Sequence, residues 1–439
     1  MIIKKSQRLE DSLFTIFEYL FVFLIILHFR SMWLHSANYR IVNTKRLVLA
    51  IACVGIICCV LKGKIKLKKI KNAAFLSIVV MIYLGFHISL NKYSIEEAMY
   101  FIILCVTMIL YHNICDNPYT DFYKKYSNVV FVIAIVSLGF WLFGTVLGIL
   151  HPTRTIYTTW ISNNSLGLTK PVKTYHNLYF EAQAYGMNKA LGIATSLNLV
   201  RNTGFFTEAP MFSFVLALAL MYELFIKENY SKFKCVVYII AIASSFSSLG
   251  YIIVLMAVSI KYYINRNTGR LKNLMKILLF PMIAIVGIMG ITYLVEAKLG
   301  SGSGTVRVDD FRAGFLAWKD HPLIGNGFGN IASYQKYMSS FRRTNLGLSN
   351  SLMLILAYGG IYIFIPYVVA FTVAIRTAIK TKNLERLVFV LLFMAMLIFT
   401  IAPFRALTIF VLVEASNMDV DEIKMKMSKE KRNKLDIIE

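Results

Sequence analysis

The chain of 439 residues is 57% hydrophobic and carries 47 Lys and Arg against 23 Asp and Glu, a formal charge of +24. Its mean hydropathy of +0.62 is too high for an ordinary water-soluble surface, which leaves an integral membrane protein. In such a protein a basic excess tracks the cytoplasmic loops rather than nucleic acid, and no nucleic-acid motif is present.

The chain opens with MIIKKSQR and then SLFTIFEYLFVFLIILHF, a basic start and a long apolar run without a small-residue cleavage site. This predicts a retained first span. Stretches long enough to cross a bilayer then recur, at 12–29, 47–61, 73–90, 98–115, 128–150, 209–226, 235–247, 249–264, 277–297, 351–375, 387–402 and 405–416. The two pieces divided by SFSSLG (245–250) and the last span read equally well as re-entrant. The six lysines of KGKIKLKKIK (62–71) mark a cytoplasmic loop and place both termini in the cytoplasm.

The expected fold is an all-α polytopic membrane protein of about twelve transmembrane helices with two long external loops. Helices 1 to 5 occupy 1–150 and a first long external loop 151–208. Helices 6 to 9 follow over 209–297, a second long external loop with an amphipathic helix over 298–350, helices 10 to 12 over 351–416, and a charged cytoplasmic tail over 417–439. No internal repeat of the secondary-transporter kind is visible. The six cysteines lie in or beside apolar segments and give neither a disulfide framework nor zinc spacing. Long loops on a helical scaffold are where function concentrates.

The first loop ends in LVRNTGFFTEAP (199–210). Pro210 suits a first helical turn, so the sixth span starts near Ala209 with Glu208 at its positive end. Two readings stand. Glu208 caps the helix dipole while Arg201 meets lipid headgroups, or the two share a site in which Arg201 holds an anionic leaving group and Glu208 takes a proton. The second loop contains VRVDDFRAGFLAWKDHPLIGNGFGN (306–330), where Phe311, Phe315 and Trp318 recur at helical spacing. This predicts an amphipathic helix over 308–319 on the membrane surface, with Arg307 and Arg312 near the headgroups; alternatively Asp309 simply pairs with Arg312.

GNGFGN (325–330) follows no strand, so it is not a dinucleotide loop; its glycines and Pro322 predict a tight turn. Farther on stand Arg342 and Arg343, Asn350 where the tenth span begins, and Arg405 in the turn PFRA. Arginine outside opposes the positive-inside bias and asks for an anionic partner such as a polyprenyl diphosphate, although any single one reads equally as solvated loop charge. His151, His176 and His321 are available as bases, or are plain loop residues. Glu18 and Glu296 lie within spans, Glu18 as a structural or subunit contact. Asp419-Val420-Asp421 lies in the cytoplasmic tail, away from the loops, and no metal is expected there.

With RNTGFFTEAP before a span, FSSLGYIIVL in a hairpin, and RVDDFRAGFLAWKDHPLIGNGFGN leading to NLGLSNSLMLILAYGGI, the chain resembles the Wzy-type O-antigen and capsular polysaccharide repeat-unit polymerases and the related O-antigen ligases. The resemblance covers most of the chain from about residue 128 onward. It implies metal-independent, cofactor-free, inverting glycosyl transfer on the outer face of the bacterial cytoplasmic membrane. A glycan on undecaprenyl diphosphate would pass to a hydroxyl of the next lipid-linked repeat unit, so that donor and acceptor are both undecaprenyl-diphosphate-linked oligosaccharides. Membrane lipid, a chain-length regulator and a flippase are the implied partners. Ligases usually carry His-Asn before the tenth span; this chain has Ser349-Asn350.

The expected diphosphate contacts are Arg201, Arg307, Arg312, Arg342, Arg343 and Arg405, with Glu208 as base, His321 in reserve, and Asn350 and His176 on the glycan. One preorganised electrostatic contact is worth roughly 2.7 to 4 kcal/mol and a positioned base about 10² to 10⁴ in rate, so arginine losses rank with or above base loss. A lipid-linked oligosaccharide flippase is the rival from another class. It too needs cations, but the unequal external loops and the missing repeat argue against it.

Overall fold

The computed structural model describes residues 2–35, 43–62, 67–91, 93–115, 118–158, 170–183, 200–264, 302–342 and 347–417. Arg343, Glu296, the expected ninth span at 277–297 and the Asp419-Val420-Asp421 motif lie outside them. Seven described helices are long and apolar enough to cross a membrane, so the chain is a helical polytopic membrane protein. They comprise most of α1 (Ile2–His28), α2 (Thr44–Leu61), α3 (Leu67–Leu90), α4 (Ile95–Ile114), α5 (Pro118–Gly139) with its π-helical extension Phe140–Val146, α6 (Ala209–Met221) with the extension Tyr222–Ile226, and α10 (Ser351–Lys380). Four other expected spans are shorter helices: α7 (Lys232–Ser244), α8 (Ser248–Ile264), α11 (Leu384–Ile398) and α12 (Ala406–Asn417). At 13 residues, α7 rises only about 20 Å against a hydrocarbon core of about 30 Å.

Side chains cap the helices where the sequence offers them: Asn43, Ser94, Ser231, Asn350 and Asn383 each accept a backbone N–H of the first turn. The centre of the array is α6, whose side chains from Met211 to Met221 are all buried. An all-round apolar helix belongs in such a place. α8 crosses it closely because Gly250 lies on Ser213, where a β-carbon would collide with the hydroxyl. Away from the long loops, buried carboxylates tie helices together. Glu18 accepts from Tyr111 at 2.7 Å and pairs with Lys125 at 2.6 Å, Glu223 accepts from Ser127 at 2.7 Å, and Glu414 accepts from Tyr123 at 2.6 Å. Glu18 therefore makes the structural contact of the two readings given for it.

The first long loop adds a sheet to the all-α expectation. β1 (Arg154–Thr158), β2 (Lys170–Tyr175) and β3 (Tyr179–Phe180) form an antiparallel sheet in that order, with Ile156 opposite Val172. Ile156 and Thr158 alternate inward from β1, as Val172 and Thr174 do from β2, a period-two pattern too short to stand out beside the long apolar runs.

In the second loop, α9 (Gly302–Asp320) is longer than expected. It turns Ala313, Gly314 and Ala317 inward; a β-carbon on Gly314 would lie 2.5 Å from the Met353 Cβ of α10. Val308, Phe311 and Phe315 face outward, as the amphipathic pattern requires. α10 itself is broken at Gly360, whose φ of 61° and ψ of −162° are not helical. The freed backbone groups are taken by the chain after α9. Asn326 and Gly327 N–H donate to Ala357 and Tyr358 O at 2.8 and 2.9 Å, while Ile361 and Tyr362 N–H donate to Pro322 and Leu323 O at 2.9 Å each. Broken helix is tolerated in a membrane protein where such partners exist. α3 clamps the same loop: His87 Nε2 lies 2.8 Å from Ile324 O and Asn91 Nδ2 donates to Gly325 O at 2.9 Å. HPLIGNGFGN is thus an inserted plug as well as the turn its glycines predict.

Candidate functional site

Two backbone pairings and one bond to a histidine side chain gather Arg30, Arg201 and Arg405 on the loop face. Residues 30–32, just past α1, run antiparallel to 205–207: Met32 N–H donates to Phe205 O at 2.8 Å and Thr207 N–H to Arg30 O at 3.1 Å. Arg30 is therefore fixed beside Glu208. The apex between α7 and α8 holds the segment after Arg201, with Asn202 N–H donating to Ser244 O and Asn202 Nδ2 to Ser244 Oγ, both at 3.0 Å. His28 Nδ1 accepts from Ala406 N–H at 3.1 Å, which places the turn carrying Arg405 against the end of α1.

Electrostatics show which charges meet. Burial lowers the pKa of Arg30, and Glu208 opposes it. Burial likewise lowers Arg201, opposed by Tyr251 and Glu208, and Arg307, opposed by Asp310 and Glu208. Arg405 is lowered to about 10 by burial and then by Arg30, with Glu97 opposing. The Glu208 charge thus acts on three arginines from different segments, and Arg30 acts in turn on a fourth, Arg405.

Among the described residues the side chains of Arg201, Arg307, Arg405 and Glu208 make no hydrogen bond or ion pair. All four are half-buried. Glu208 starts α6 without a side-chain cap bond, and Gln183 Oε1 accepts from Ala209 N–H instead, at 3.1 Å. The same segments hold buried polar atoms without a hydrogen-bond partner among the described residues, namely Ser31 Oγ, Thr207 Oγ1, Asn350 Nδ2 and Thr400 Oγ1. Buried polar groups are normally satisfied, and half-buried guanidinium groups without a direct partner are costly. An anion with several acceptor oxygens would satisfy both. Among the described residues no three His, Cys, Asp or Glu side chains converge as a metal site.

The other expected residues fall elsewhere. Arg342 is 1% exposed and spends its guanidinium on Asp310 at 2.8 Å, Val306 O at 3.1 Å and Gly347 O at 2.6 Å. We move it from the diphosphate set to the scaffold. Burial raises the pKa of Asp310, while Ser349 and Arg342 oppose it. Arg342→Ala leaves that carboxylate buried and unpaired, so the protein should lose about 3 to 5 kcal/mol of stability, read as a fall in melting temperature in detergent. Arg312 binds Asp309 Oδ1 at 3.0 Å, Tyr337 O at 2.8 Å and Ser339 Oγ at 3.0 Å, so the plain Asp309–Arg312 pairing is what forms.

His321 is exposed past the end of α9, next to Asp320. His176 sits exposed in the β2–β3 turn at φ 50°, its ring 6.3 Å from that of Phe140. Asn350 caps α10 through Oδ1, 3.2 Å from Met353 N, and its amide nitrogen has no partner among the described residues. Its neighbour Ser351 bonds the turn leading to Arg405, donating to Thr400 O and accepting from Ala402 N–H at 2.9 Å.

Arg30 and Glu97 escaped the sequence reading. Arg30 ends the first apolar run in HFRS, where the positive-inside argument applies as it does to Arg405. Glu97 lies in the first turn of α4, where a carboxylate reads as helix-dipole compensation. No family model, no curated protein and no solved structure matches this chain.

Proposed function

We propose that the protein is a repeat-unit polymerase, a glycosyltransferase of the external face of a bacterial cytoplasmic membrane with both termini cytoplasmic. It joins undecaprenyl-diphosphate-linked oligosaccharides. The observation that carries this reading is the pairing of 30–32 with 205–207 and of Ala406 with His28, which brings Arg30 beside Glu208 and the Arg405 turn to the end of α1, with the Glu208 charge acting on Arg30, Arg201 and Arg307; a lipid diphosphate would sit there.

A hydroxyl of the incoming repeat unit attacks the anomeric carbon of the lipid-linked glycan from the face opposite the leaving group. Glu208 accepts the hydroxyl proton as the new C–O bond forms. The bond from the anomeric carbon to the diphosphate breaks, and its electron pair leaves on undecaprenyl diphosphate, giving inversion. Guanidinium groups carried on segments that are already anchored meet that developing charge. The arginines do the work a divalent cation does elsewhere, so EDTA should leave the rate unchanged; activity lost to EDTA and restored by magnesium contradicts this.

Deleting the gene and running the surface glycan and the lipid-linked pool on gels tests the reading in cells. Single repeat units in place of a ladder, rescued by wild type and not by Arg201→Ala, support polymerisation. A lipid-linked ladder that never reaches its final acceptor means ligation, and repeat units trapped on the cytoplasmic side mean a flippase.

A further inference from the structure

Beyond Arg405 lies a polar lip that the chemistry above does not use. It forms where the turn between α3 and α4 and the first turn of α4 meet the GNGFGN loop. Asn91 Nδ2 donates to Gly325 O at 2.9 Å. A β-carbon on Gly327 would lie 2.6 Å from both Asn91 Oδ1 and Tyr93 Cβ, and one on Gly329 would lie 2.6 Å from Glu97 Oε2. Gly327 and Gly329 have φ of 99° and 73°, so glycine supplies both the backbone conformation and the close approach.

Two side chains of this lip face outward. Tyr93 is 57% exposed and Glu97 is exposed too. Among the described residues the Glu97 carboxylate makes no ion pair or hydrogen bond. The cap of α4 is made by Ser94 instead, whose Oγ accepts from Glu97 N–H at 3.4 Å. Glu97 is also the carboxylate felt by Arg405. Glu208 thus acts on Arg30 and Glu97 on Arg405.

An ionised carboxylate is an acceptor only, with two oxygens that can take two donors. Neighbouring ring hydroxyls of a sugar are such donors, and the C–H face of a pyranose lies flat on an exposed aromatic ring. A second carboxylate beside a diphosphate site repels that anion, so Glu97 suits the uncharged, hydroxyl-bearing part of the substrate. We propose that Asn91, Tyr93 and Glu97 form a saccharide subsite in which Glu97 accepts hydrogen bonds from hydroxyl groups of the lipid-linked repeat unit. The assignment rests on the glycosyl transfer proposed above and extends it with residues that select the sugar.

The test uses the full chain in lipid nanodiscs and two separate probes, the repeat-unit oligosaccharide released from the host's own surface polysaccharide and undecaprenyl diphosphate. Saturation-transfer NMR should show the oligosaccharide binding to wild type and to Arg201→Ala. Glu97→Gln, which keeps shape and removes charge, should weaken it by at least about tenfold, as loss of a charge-assisted hydrogen bond does. Undecaprenyl diphosphate should bind wild type and Glu97→Gln alike and be lost from Arg201→Ala. Equal oligosaccharide affinity in Glu97→Gln and wild type, or no oligosaccharide binding to wild type, overturns the subsite. Oligosaccharide binding that depends on Glu97, with diphosphate binding absent from wild type, upholds the subsite and removes the diphosphate reading alone.

Discussion

Arg201→Lys should abolish chain elongation although it keeps the positive charge. Arg201 is half-buried, faces Glu208 and makes no hydrogen bond or ion pair among the described residues. Its planar fork can place two parallel N–H donors on phosphate oxygens, whereas lysine offers a point charge on a flexible stem. Losing one preorganised contact costs about 2.7 to 4 kcal/mol, a fall of about 10² to 10³ in rate. The melting temperature should hardly move, because no described partner is lost. The surface-glycan ladder reads the result: collapse to single repeat units is expected, and normal length in Arg201→Lys removes Arg201 from the diphosphate site.

Gly360→Ala should be among the most damaging single-methyl changes in the described part of the chain. Gly360 sits at φ 61° in the break of α10, and an L-residue held there costs of order 1 to 3 kcal/mol. Its new β-carbon would also collide with the Leu323 carbonyl and lie 2.6 Å from Gly325 N, both backbone atoms that cannot swing aside. Relief would require the plug to withdraw, uncovering Ala357 and Tyr358 O and Ile361 and Tyr362 N–H. Gly85→Ala in α3 is the matched control. Nothing lies within 4 Å of its added methyl, and a helix gains up to about 1 kcal/mol from such a change. Thermal melting of the two variants side by side should show a large loss at 360 and none at 85. A Gly360→Ala protein that melts like wild type would mean that 322–327 does not occupy the break.

The helical scaffold was legible because burial in lipid demands long apolar runs, and α1 to α6 and α10 stand where those runs stand. Glu208 was legible as a helix start because Pro210 marks a first turn. The partners of Glu208 were legible in part. Arg201 and Arg307 stood out as arginines against the topological bias, but Arg30 reaches the site only through the Ser31–Phe206 bridge, a pairing of distant segments that no local pattern encodes.

Opposite charges misled in a related way. The three-residue spacing of Asp309 and Arg312 can be read from a helix, whereas Asp310 meeting Arg342 depends on the fold of the whole second loop. Two arginines that looked like ligands for phosphate are consequently tied to carboxylates. The break at Gly360 was hidden for another reason. Tyr358-Gly359-Gly360 lies inside an apolar run, so hydropathy passes over it, and only the docked plug reveals that the two glycines are needed.

Reconstitution tests the central claim most directly. Purified full-length protein in nanodiscs would be given lipid-linked repeat units, collected from cells lacking the gene, and nothing else. A ladder of lengthening glycans with one undecaprenyl diphosphate released per joined unit, present with wild type and absent with Arg201→Lys, is the predicted result. Repeat units that remain single in the wild-type sample, or that lengthen equally well with Arg201→Lys, would contradict it.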